Sequence, residues 1–393
     1  MRRAVSELPQ GTGGIVSELD RQIRRATRPD GRVDVKALDL PALTHFMQAF
    51  GKADHRARTV YKAIWKKGVT DFADVDDIPK SVRAELATCA VITTLDNAAT
   101  LPSTDGTTKF LWRLSDESHI ESVLIPDEKR PGPGAARYTL CVSTQVGCAM
   151  ACTFCLTGDL GLKRNLTAAE IASQVLQVQQ YMDHALTGRR ITNVVMMGMG
   201  EPLHNFDNVV VSLRTMLSED ALGLSHRRIT VSTVGLMPKL QQLAARLPVN
   251  IAVSLNATTE EQRRTVMPIT LKYSMQELMD ACRALPLPSG KRITFEYVMM
   301  GGFNDTDEDA ERLYMLMQGV PAKVNLIPYN ENPDRDILRP SDDRVKSFQH
   351  FLVSRGVHCS IRITRGQDVS AACGQLGKAV ERMGKRVHPP TNP

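Results

Sequence analysis

The sequence predicts an α/β fold built from parallel strand–helix units, with a small helical module and a short β extension before them. Short β-branched runs recur from residue 137 onward, such as "RYTLCVST" and "KRITFEYVMM", and helical stretches such as "TAAEIASQVLQVQQYM" separate most of them. Apolar residues three and four apart in "LPALTHFMQAF" predict helices earlier in the chain. Residues 107–126 alternate apolar and polar side chains, which indicates a hairpin or small sheet.

Six or seven strand–helix units fit a complete or partial barrel, and a doubly wound sheet is the competing layout. In both layouts the functional residues lie beyond the carboxyl ends of the strands. The domain boundaries that we predict are listed here in chain order: 1–35, a poorly structured N-terminus; 36–103, a helical accessory domain; 104–137, a small β extension or linker; 138–365, the barrel; and 366–393, a C-terminal tail.

Composition restricts the class of protein. The 393 residues are 42% hydrophobic and 23% charged, as in an ordinary globular protein. No apolar run approaches the ~20 residues of a membrane helix, and the first residues show no secretory signal. We therefore expect a cytoplasmic protein without a membrane partner, in which the eight cysteines are reduced, catalytic or metal-bound.

The chain is moderately basic, with a net charge of +6 and a pI near 8.9. This charge is compatible with a nucleic-acid partner, although many soluble enzymes are equally basic. Arg56, Arg58, Lys66 and Lys67 cluster in the helical module. We interpret these four residues as a candidate contact for a nucleic-acid backbone, and the alternative is a solvated surface.

Four of the eight cysteines lie within "CVSTQVGCAMACTFC". Cys148, Cys152 and Cys155 have the spacing C-x3-C-x2-C after the first strand of the β/α series. A structural zinc site uses four ligands, whereas three thiolates on an open loop suit a cubane iron–sulfur cluster with one iron left for a small molecule. A zinc site or a group of core cysteines is the alternative.

Two further features surround this loop. "MMGMGEPLHN" closes the second strand with glycines and Glu201, where backbone can approach a ligand closely and a carboxylate can meet an ammonium group. Cys373 lies in "DVSAACGQLG", which has no core periodicity. By contrast, Cys89, Cys282 and Cys359 lie in apolar patterns and are predicted to be buried core residues.

The cysteine spacing, with Phe154 before the last cysteine, resembles the radical S-adenosylmethionine (SAM) superfamily. Further motifs, in order, resemble one family within it, the RlmN-like RNA adenine C2-methyltransferases: "GMGEPL", "ITVSTVG", "AVSLNA", "NLIPYN" and "DVSAACGQL". The resemblance covers roughly residues 40 to 380. It implies a partial (β/α)6-type barrel, in which a 4Fe-4S cluster chelates SAM and cleaves it reductively to an adenosyl radical.

The resemblance also implies a role for particular residues. Cys148, Cys152 and Cys155 would hold the cluster, Cys373 would accept a methyl group from a first SAM, and Cys141 would resolve the later intermediate through a disulfide. Glu121 matches the family's proton acceptor. The residues that fall on SAM-contacting positions are Gly200, Glu201, Ser232, Ser254, Leu255, Asn256 and Asn330; many relatives carry His in place of Asn256.

The implied reaction uses two SAM molecules per turnover and joins protein and RNA covalently before release, with Glu121 or Cys141 involved in loss of the C2 proton. Such covalent catalysis divides one difficult step into several easier ones. We expect 23S ribosomal RNA at the peptidyl-transferase centre as substrate, with transfer RNA at the base next to the anticodon as a second one. We also expect that a one-electron donor of the flavodoxin or ferredoxin type reduces the cluster. We expect the enzyme to be a monomer.

Three alternatives remain open at this point. C8 methylation of the same adenosine would use the same mechanism. A non-catalytic RNA-binding protein with a zinc-stabilised loop would explain the cysteines and the basic charge. A radical SAM enzyme acting on a small molecule would explain the cluster but gives Cys373 no role.

Overall fold

The computed structural model describes residues 17–49, 51, 54–128, 136–186 and 188–377. In chain order its helices are α1 (Glu18–Ala26), α2 (Leu40–Gln48), α3 (Asp54–Lys66), α4 (Lys80–Cys89), α5 (Leu156–Asp159), α6 (Ala168–Ala185), α7 (Phe206–Leu217), α8 (Met237–Arg246), α9 (Glu260–Val266), α10 (Met275–Arg283), α11 (Asp307–Leu316) and α12 (Asp342–Ser354). Its strands are β1 (Val33–Asp34), β2 (Ala90–Val91), β3 (Asp96–Pro102), β4 (Thr108–Arg113), β5 (His119–Asp127), β6 (Arg137–Cys141), β7 (Gln145–Gly147), β8 (Leu162–Asn165), β9 (Asn193–Met196), β10 (Ile229–Thr233), β11 (Asn250–Ser254), β12 (Ile293–Met299), β13 (Ala322–Pro328) and β14 (Cys359–Ile361).

The helical module begins earlier than the sequence predicted. Helix α1 lies within residues 1–35, where we expected little structure, and this expectation is wrong for residues 18–26. Ser17 caps the helix by accepting a hydrogen bond from the Asp20 backbone N–H, and Ile23 and Ala26 are buried. The helix is short and mostly charged, so its apolar periodicity is weak in sequence. Residues 1–16 lie outside the described residues.

The module does not end at the predicted boundary either. One compact unit of the chain contains residues up to 96 together with 166–190 and 207–225. Ala169, Ala172 and Leu176 of α6 belong to the same apolar core as Leu43 and Trp65 of the module. The predicted segments 36–103 and 138–365 are therefore not separate compact units, because α6 packs its apolar face within the module's core.

The second unit holds one long sheet of ten strands in the order β14-β13-β12-β11-β10-β9-β6-β5-β4-β3. From β14 to β6 all neighbours are parallel and keep their order in the sequence, while β7 and β8, which lie between β6 and β9 in the chain, form a separate two-stranded sheet. A doubly wound sheet would reverse its strand order at a switch point, and this sheet does not do so across the described strands. The partial barrel of parallel β/α units is thus confirmed.

Strands β4 and β5 form the predicted hairpin, but they belong to the main sheet. Their antiparallel pairing places Leu111 opposite Glu121, and β5 then pairs antiparallel with β6, which places Val123 opposite Cys141. The β extension, expected at 104–137 as a linker, therefore begins at Asp96 and continues the barrel sheet. This continuity puts Glu121 on the same face of the sheet as Cys141.

The period of two along the parallel strands separates a core face from a cavity face. Val231, Val253 and Phe295 are fully buried, whereas the alternate residues Ser232 and Ser254 line a cavity. Side chains that cap backbone N–H groups start the helices after several strands. Reciprocal capping boxes of this kind are Thr167–Glu170, Thr259–Gln262, Ser274–Glu277 and Thr306–Asp309. Within the described residues, none of the helices is long and apolar enough to cross a membrane.

Candidate active site

The three cysteines of the C-x3-C-x2-C motif line one cavity at the carboxyl ends of the parallel strands, which we call the cysteine cavity. Backbone hydrogen bonds hold their loop on two sides: the Cys148 N–H donates to the Gly161 carbonyl over 2.8 Å, and the Thr153 N–H donates to Val266 over 3.0 Å. Gly147, just before the loop, has a φ of +76°, and a Cβ there would collide with the Gly161 carbonyl. The loop conformation therefore requires glycine at this position.

Burial raises the pKa of the Cys148 thiol to about 12, and it raises the pKa values of Cys152 and Cys155 as well. The thiols also repel one another as thiolates, since Cys155 raises the pKa of both other cysteines. A polynuclear iron cluster supplies the positive charge that such thiolates need. Among the described residues, no three His, Cys, Asp or Glu side chains are placed around a single metal ion. The three thiols at one cavity are the donor set that the cysteine motif predicts for an iron–sulfur cluster.

Glu201 also lines the cysteine cavity and is 3% exposed. Its carboxylate accepts hydrogen bonds from the backbone N–H groups of Leu203 and Val234, both at 2.9 Å. Burial nevertheless raises the pKa of this carboxyl to about 7. Gly200, beside it, has a φ of +101°, and a Cβ there would clash with Gln145. The turn therefore presents a buried carboxylate that a cationic ligand group would stabilise.

The other predicted SAM contacts are placed unequally. Ser232, Ser254, Asn256 and Asn330 line the cysteine cavity. The Asn256 amide is already engaged, because its oxygen accepts from the Val298 N–H at 2.9 Å, and its backbone is left-handed with a φ of +58°. The Leu255 side chain is fully buried, and its backbone N–H donates to Glu296 at 3.0 Å. Leu255 and Asn256 thus shape the strand end, and their contacts with SAM stay predictions.

Cys373 also lines the cysteine cavity, although it is more than two hundred residues away in sequence from the cluster loop. Its carbonyl accepts a hydrogen bond from the Asn330 amide at 3.0 Å, and the next carbonyl, of Gly374, accepts from the Leu156 N–H at 2.8 Å. Cys141 lies close enough that Cys373 contributes to its raised pKa of about 12, for which burial is the main cause. All eight cysteines are free thiols, so the predicted disulfide of Cys141 and Cys373 is absent here.

Glu121 is fully buried on β5 and forms an ion pair with Lys109, whose Nζ lies 3.5 Å from its Oε2. Lys109 also donates to the carbonyl of Ser370, at 3.2 Å, in the tail that carries Cys373. Glu121 itself is not among the described residues that line the cysteine cavity. The role of Glu121 as proton acceptor stays a prediction.

Two arginines support the site and were missed by the sequence analysis. Arg263 is 1% exposed and donates to the carbonyls of Val234, Ser254 and Leu255 at the ends of β10 and β11, over 2.8 to 3.3 Å. Arg335 donates to the carbonyls of Thr153 and Cys155 in the cluster loop. Arg335 also pairs with Asp159 at 2.6 Å, and Arg263 also donates to the Thr270 hydroxyl at 3.0 Å. The strand ends and the cluster loop, however, are bound through backbone carbonyls, which leave no residue-type signal in the sequence.

The comparisons with known proteins agree with this geometry. Residues 142–317 match the radical SAM superfamily, and residues 33–92 match the ribosomal RNA large subunit methyltransferase N-terminal domain. The dual-specificity RNA methyltransferase RlmN of Geobacter sulfurreducens is 48% identical over 88% of this chain and 92% of its own length. The RlmN of Pelobacter propionicus is also 48% identical, over 88% of this chain and 96% of its own. The chain belongs to the RlmN family.

A solved radical SAM methyltransferase from Sphaerobacter thermophilus has the same fold, with a TM-score of 0.80 and 40% identity over 88% of this chain and 99% of that one. Membership of the RlmN family confirms the predicted fold class and makes the chain a radical SAM methyltransferase. The superfamily implies a 4Fe-4S cluster and SAM as cofactors. The C8-methylating alternative is not favoured, since these relatives are RlmN proteins.

Proposed function

We propose that this RlmN family member methylates C2 of adenosine in 23S ribosomal RNA and in transfer RNA, by way of a methyl group first placed on Cys373. The observation that carries the proposal is the position of Cys373 in the wall of the cavity lined by Cys148, Cys152 and Cys155. A methyl-carrying cysteine has no role in most radical SAM reactions. Here it faces the place where the cluster and SAM would bind.

The residues divide the reaction between them. Cys148, Cys152 and Cys155 would hold the cluster, which together with SAM supplies one-electron chemistry when bound. Glu201 would orient the SAM ammonium group through its carboxylate, and the Ser232, Ser254 and Asn330 side chains would complete the site.

The two remaining cysteines handle the methyl group. The Cys373 sulfur accepts it, and the hydrogen bond from Asn330 to the Cys373 carbonyl keeps that sulfur at the cavity. Cys141 then attacks the Cys373 sulfur, so that a disulfide forms and the bond between this sulfur and the methyl-derived carbon, which is by then attached to C2 of the adenine, breaks. Glu121 or Cys141 takes the C2 proton. The two cysteines would need a reductant before the next turnover.

Peptide mass spectrometry of the protein purified anaerobically with its cluster tests the first step. We expect a methyl mass addition on the peptide that contains Cys373, and its loss in Cys148→Ala, because the first transfer needs the assembled site. Cys89→Ala is the matched control, since Cys89 lies at the end of α4, outside the cysteine cavity, and should leave the modification intact. An unmodified Cys373 in cluster-loaded protein exposed to SAM would contradict the proposed reaction.

Mass spectrometry of digested RNA identifies the product. We expect 2-methyladenosine from 23S ribosomal RNA and from transfer RNA incubated with the enzyme, SAM and a one-electron donor of the flavodoxin or ferredoxin type. 8-Methyladenosine would identify the alternative reaction, and methylation of ribosomal RNA alone would remove the second substrate. Because C2 is covered in a stacked helix, we expect the target base to be unstacked by the enzyme.

We propose that the enzyme acts as a monomer.

We also propose that the helical module binds the RNA backbone. Of the four basic residues predicted for this contact, Arg58 is paired with Asp220 at 3.0 Å and Lys67 with Asp77 at 2.8 Å. These internal partners reduce the charge available for phosphate. Neutralising Arg56, Arg58, Lys66 and Lys67 together should weaken RNA binding and lower its salt dependence, while SAM cleavage continues. An unchanged salt dependence would contradict this contact.

A further inference from the structure

Cys373 lies where the cysteine cavity meets a second cavity, lined by polar residues such as Arg137, Thr294, Lys323 and Arg365, which we call the polar cavity. Only part of each lining is shared, and the described residues that line both are Met197, Glu296, Ile327, Asn330, Arg362 and Cys373. Three of these six can carry charge. The methyl-accepting sulfur therefore lies beside one guanidinium and one carboxylate, at a boundary that the reaction proposed above leaves unexplained.

Arg362 is fixed at this boundary by its backbone and its side chain. It directly follows β14, and its N–H donates to the Leu326 carbonyl on β13 at 2.8 Å. Its Nη1 donates to the Met197 sulfur at 3.4 Å. Glu296 on β12 is 4% exposed and accepts a hydrogen bond from the Asn325 amide at 2.7 Å.

The charges at the junction act on one another. The Cys373 sulfur is the main cause that raises the pKa of the Arg362 guanidinium, and Glu296 and Cys141 raise it further, against the effect of burial. Arg362 in turn opposes the rise in the pKa of Cys141 that burial and Cys373 produce, and it also opposes the rise that burial causes in Glu296. One guanidinium is thus shared between two sulfurs and a carboxylate.

We propose that Arg362 stabilises the thiolate of Cys373 for the first methyl transfer, and that Glu296 weakens this effect by competing for the same guanidinium. The inference rests on the proposed function for its place in the reaction. In that step the thiol proton has left to solvent, and the sulfur electron pair forms a bond to the SAM methyl carbon. The sulfonium C–S bond breaks, which leaves S-adenosylhomocysteine.

The reason is that the thiolate, and not the thiol, is the nucleophile. Cationic neighbours lower the pKa of a cysteine, whereas burial among apolar groups raises it. Cys373 is half-buried in the junction, and the thiol of Cys141 beside it carries no compensating charge of its own. Arg362 supplies that charge, because a guanidinium stays protonated under all physiological conditions.

Other titratable groups face the junction from both cavities. Along the polar cavity these are Asp127, Arg137, Lys323 and Arg365, and across the cysteine cavity they are Glu201, Tyr329 and the three cluster cysteines. The cluster cysteines are occupied in the loaded enzyme. Arg365 lines the polar cavity but not the cysteine cavity, which makes it a matched control for Arg362.

The test is the pH dependence of alkylation of Cys373 by iodoacetamide, measured on the cluster-loaded enzyme without SAM. Enzyme from iron-limited cells is reconstituted with iron and sulfide, and mass spectrometry scores only the unmethylated Cys373 peptide. Arg362→Met should move the alkylation midpoint up by one pH unit or more, which lowers the rate about tenfold below the midpoint. Glu296→Gln should move it down, Arg362→Lys should restore most of the wild-type profile, and Arg365→Met should leave it unchanged.

The opposite signs expected for Arg362→Met and Glu296→Gln separate this proposal from a structural role, which would affect both variants in the same direction. An unchanged profile in Arg362→Met would overturn it. If the same variant then bound RNA more weakly, Arg362 would be a substrate contact instead. Alkylation requires neither SAM nor RNA. If Cys373 is never methylated, the proposed function is wrong, but the alkylation profiles still show whether Arg362 stabilises the Cys373 thiolate.

Discussion

The cluster loop (residues 148–155) and the C-terminal tail (residues 366–377) bring cysteines to the same cavity, but they are held in different ways. The loop is anchored by its own backbone, with Cys148 bonded to Gly161 and Thr153 bonded to Val266. Behind it, the buried Arg263 ties together the strand-end carbonyls. A segment held by backbone bonds on two sides is expected to open less often than one held by exposed side chains.

The tail is held mainly by polar side chains of other segments. Asp368 accepts hydrogen bonds from the Ser103 hydroxyl at 2.5 Å and from the Thr104 N–H at 3.1 Å, and the Gly366 N–H donates to Asp105 at 2.9 Å. Asp368 is exposed, so water competes for its hydrogen-bond donors and these contacts hold the tail weakly. The difference suits the two tasks, since the loop keeps a cofactor in place, whereas the Cys373 sulfur has to meet SAM, RNA and Cys141 in turn.

The largest effect is expected from Arg263→Met, which removes the support behind the loop. Three strand-end carbonyls would lose their donor in a buried setting, so the free energy of unfolding should fall by about 3 kcal/mol. Urea unfolding measures this change, and iron content reports whether the loop still retains its cluster. The adjacent Arg264 is exposed and pairs with Glu260 at 3.5 Å. Arg264→Met is therefore the control and should change stability by less than about 0.5 kcal/mol.

A loss of stability in Arg263→Met no greater than in Arg264→Met would show that the strand ends do not depend on this guanidinium. The comparison between loop and tail would then lose its physical basis. A large loss of stability with normal iron content would instead place the role of Arg263 in the barrel rather than in the cluster loop.

The sequence predicted the parts of the site that depend on residue type and spacing. Cys148, Cys152 and Cys155 are close together in sequence, and Ser232 and Ser254 were assigned through the resemblance of their motifs; all five line the cysteine cavity. Arg263 and Arg335 did not follow, because each binds backbone carbonyls of segments that are remote in sequence. A carbonyl is present at every position, and so it gives no pattern to detect.

The same reasoning explains the errors in the fold. The parallel order of the strands follows from the alternation of strand and helix, but the partner of a helix face does not. Helix α6 reads as an ordinary barrel helix, yet Ala169 and Ala172 belong to the core of the module. Helix α1 was missed because its burial rests on Ile23 and Ala26 within a charged segment. Local sequence patterns thus predict the helices and strands, whereas the packing partner of each helix face depends on residues that are distant in sequence.

SAM binding at Glu201 should depend on pH between pH 6 and pH 8, a range in which Asp368 of the tail keeps its charge. The pKa of Glu201 is about 7 because of burial, whereas hydrogen bonds from Ser103 keep the pKa of Asp368 below its usual value. The SAM ammonium group should bind the ionised Glu201, so SAM affinity should rise about tenfold, or 1.4 kcal/mol, between pH 6 and pH 8. Titration calorimetry of the cluster-loaded enzyme in two buffers would detect the proton that binding releases at pH 6.

The stability of the protein without SAM should change with pH in the opposite direction to the SAM affinity. Because the folded state holds the Glu201 proton more tightly than the unfolded chain, stability should fall as pH rises from about 4.5 to about 7, and then stay level. Glu201→Gln should remove both dependences. SAM affinity that is constant between pH 6 and pH 8 in the wild type would contradict the assignment of Glu201 to the ammonium group.

The smallest effect on global stability, and the most local one, is expected from Asp368→Asn in the tail. The amide loses the charge that strengthens the bonds from Ser103 and Thr104, so the tail should open more often while the barrel stays folded. Hydrogen exchange should become several-fold faster at the Ala371 backbone N–H, which donates to the Gly366 carbonyl at 2.8 Å. Asp343→Asn on the exposed start of α12 is the control and should leave this exchange unchanged.

Iron content should be normal in both variants, because the cluster loop does not depend on Asp368. Iron loss in Asp368→Asn would mean that loop and tail are one cooperative unit, since the Leu156 N–H already bonds to the Gly374 carbonyl, and the difference argued here would be wrong.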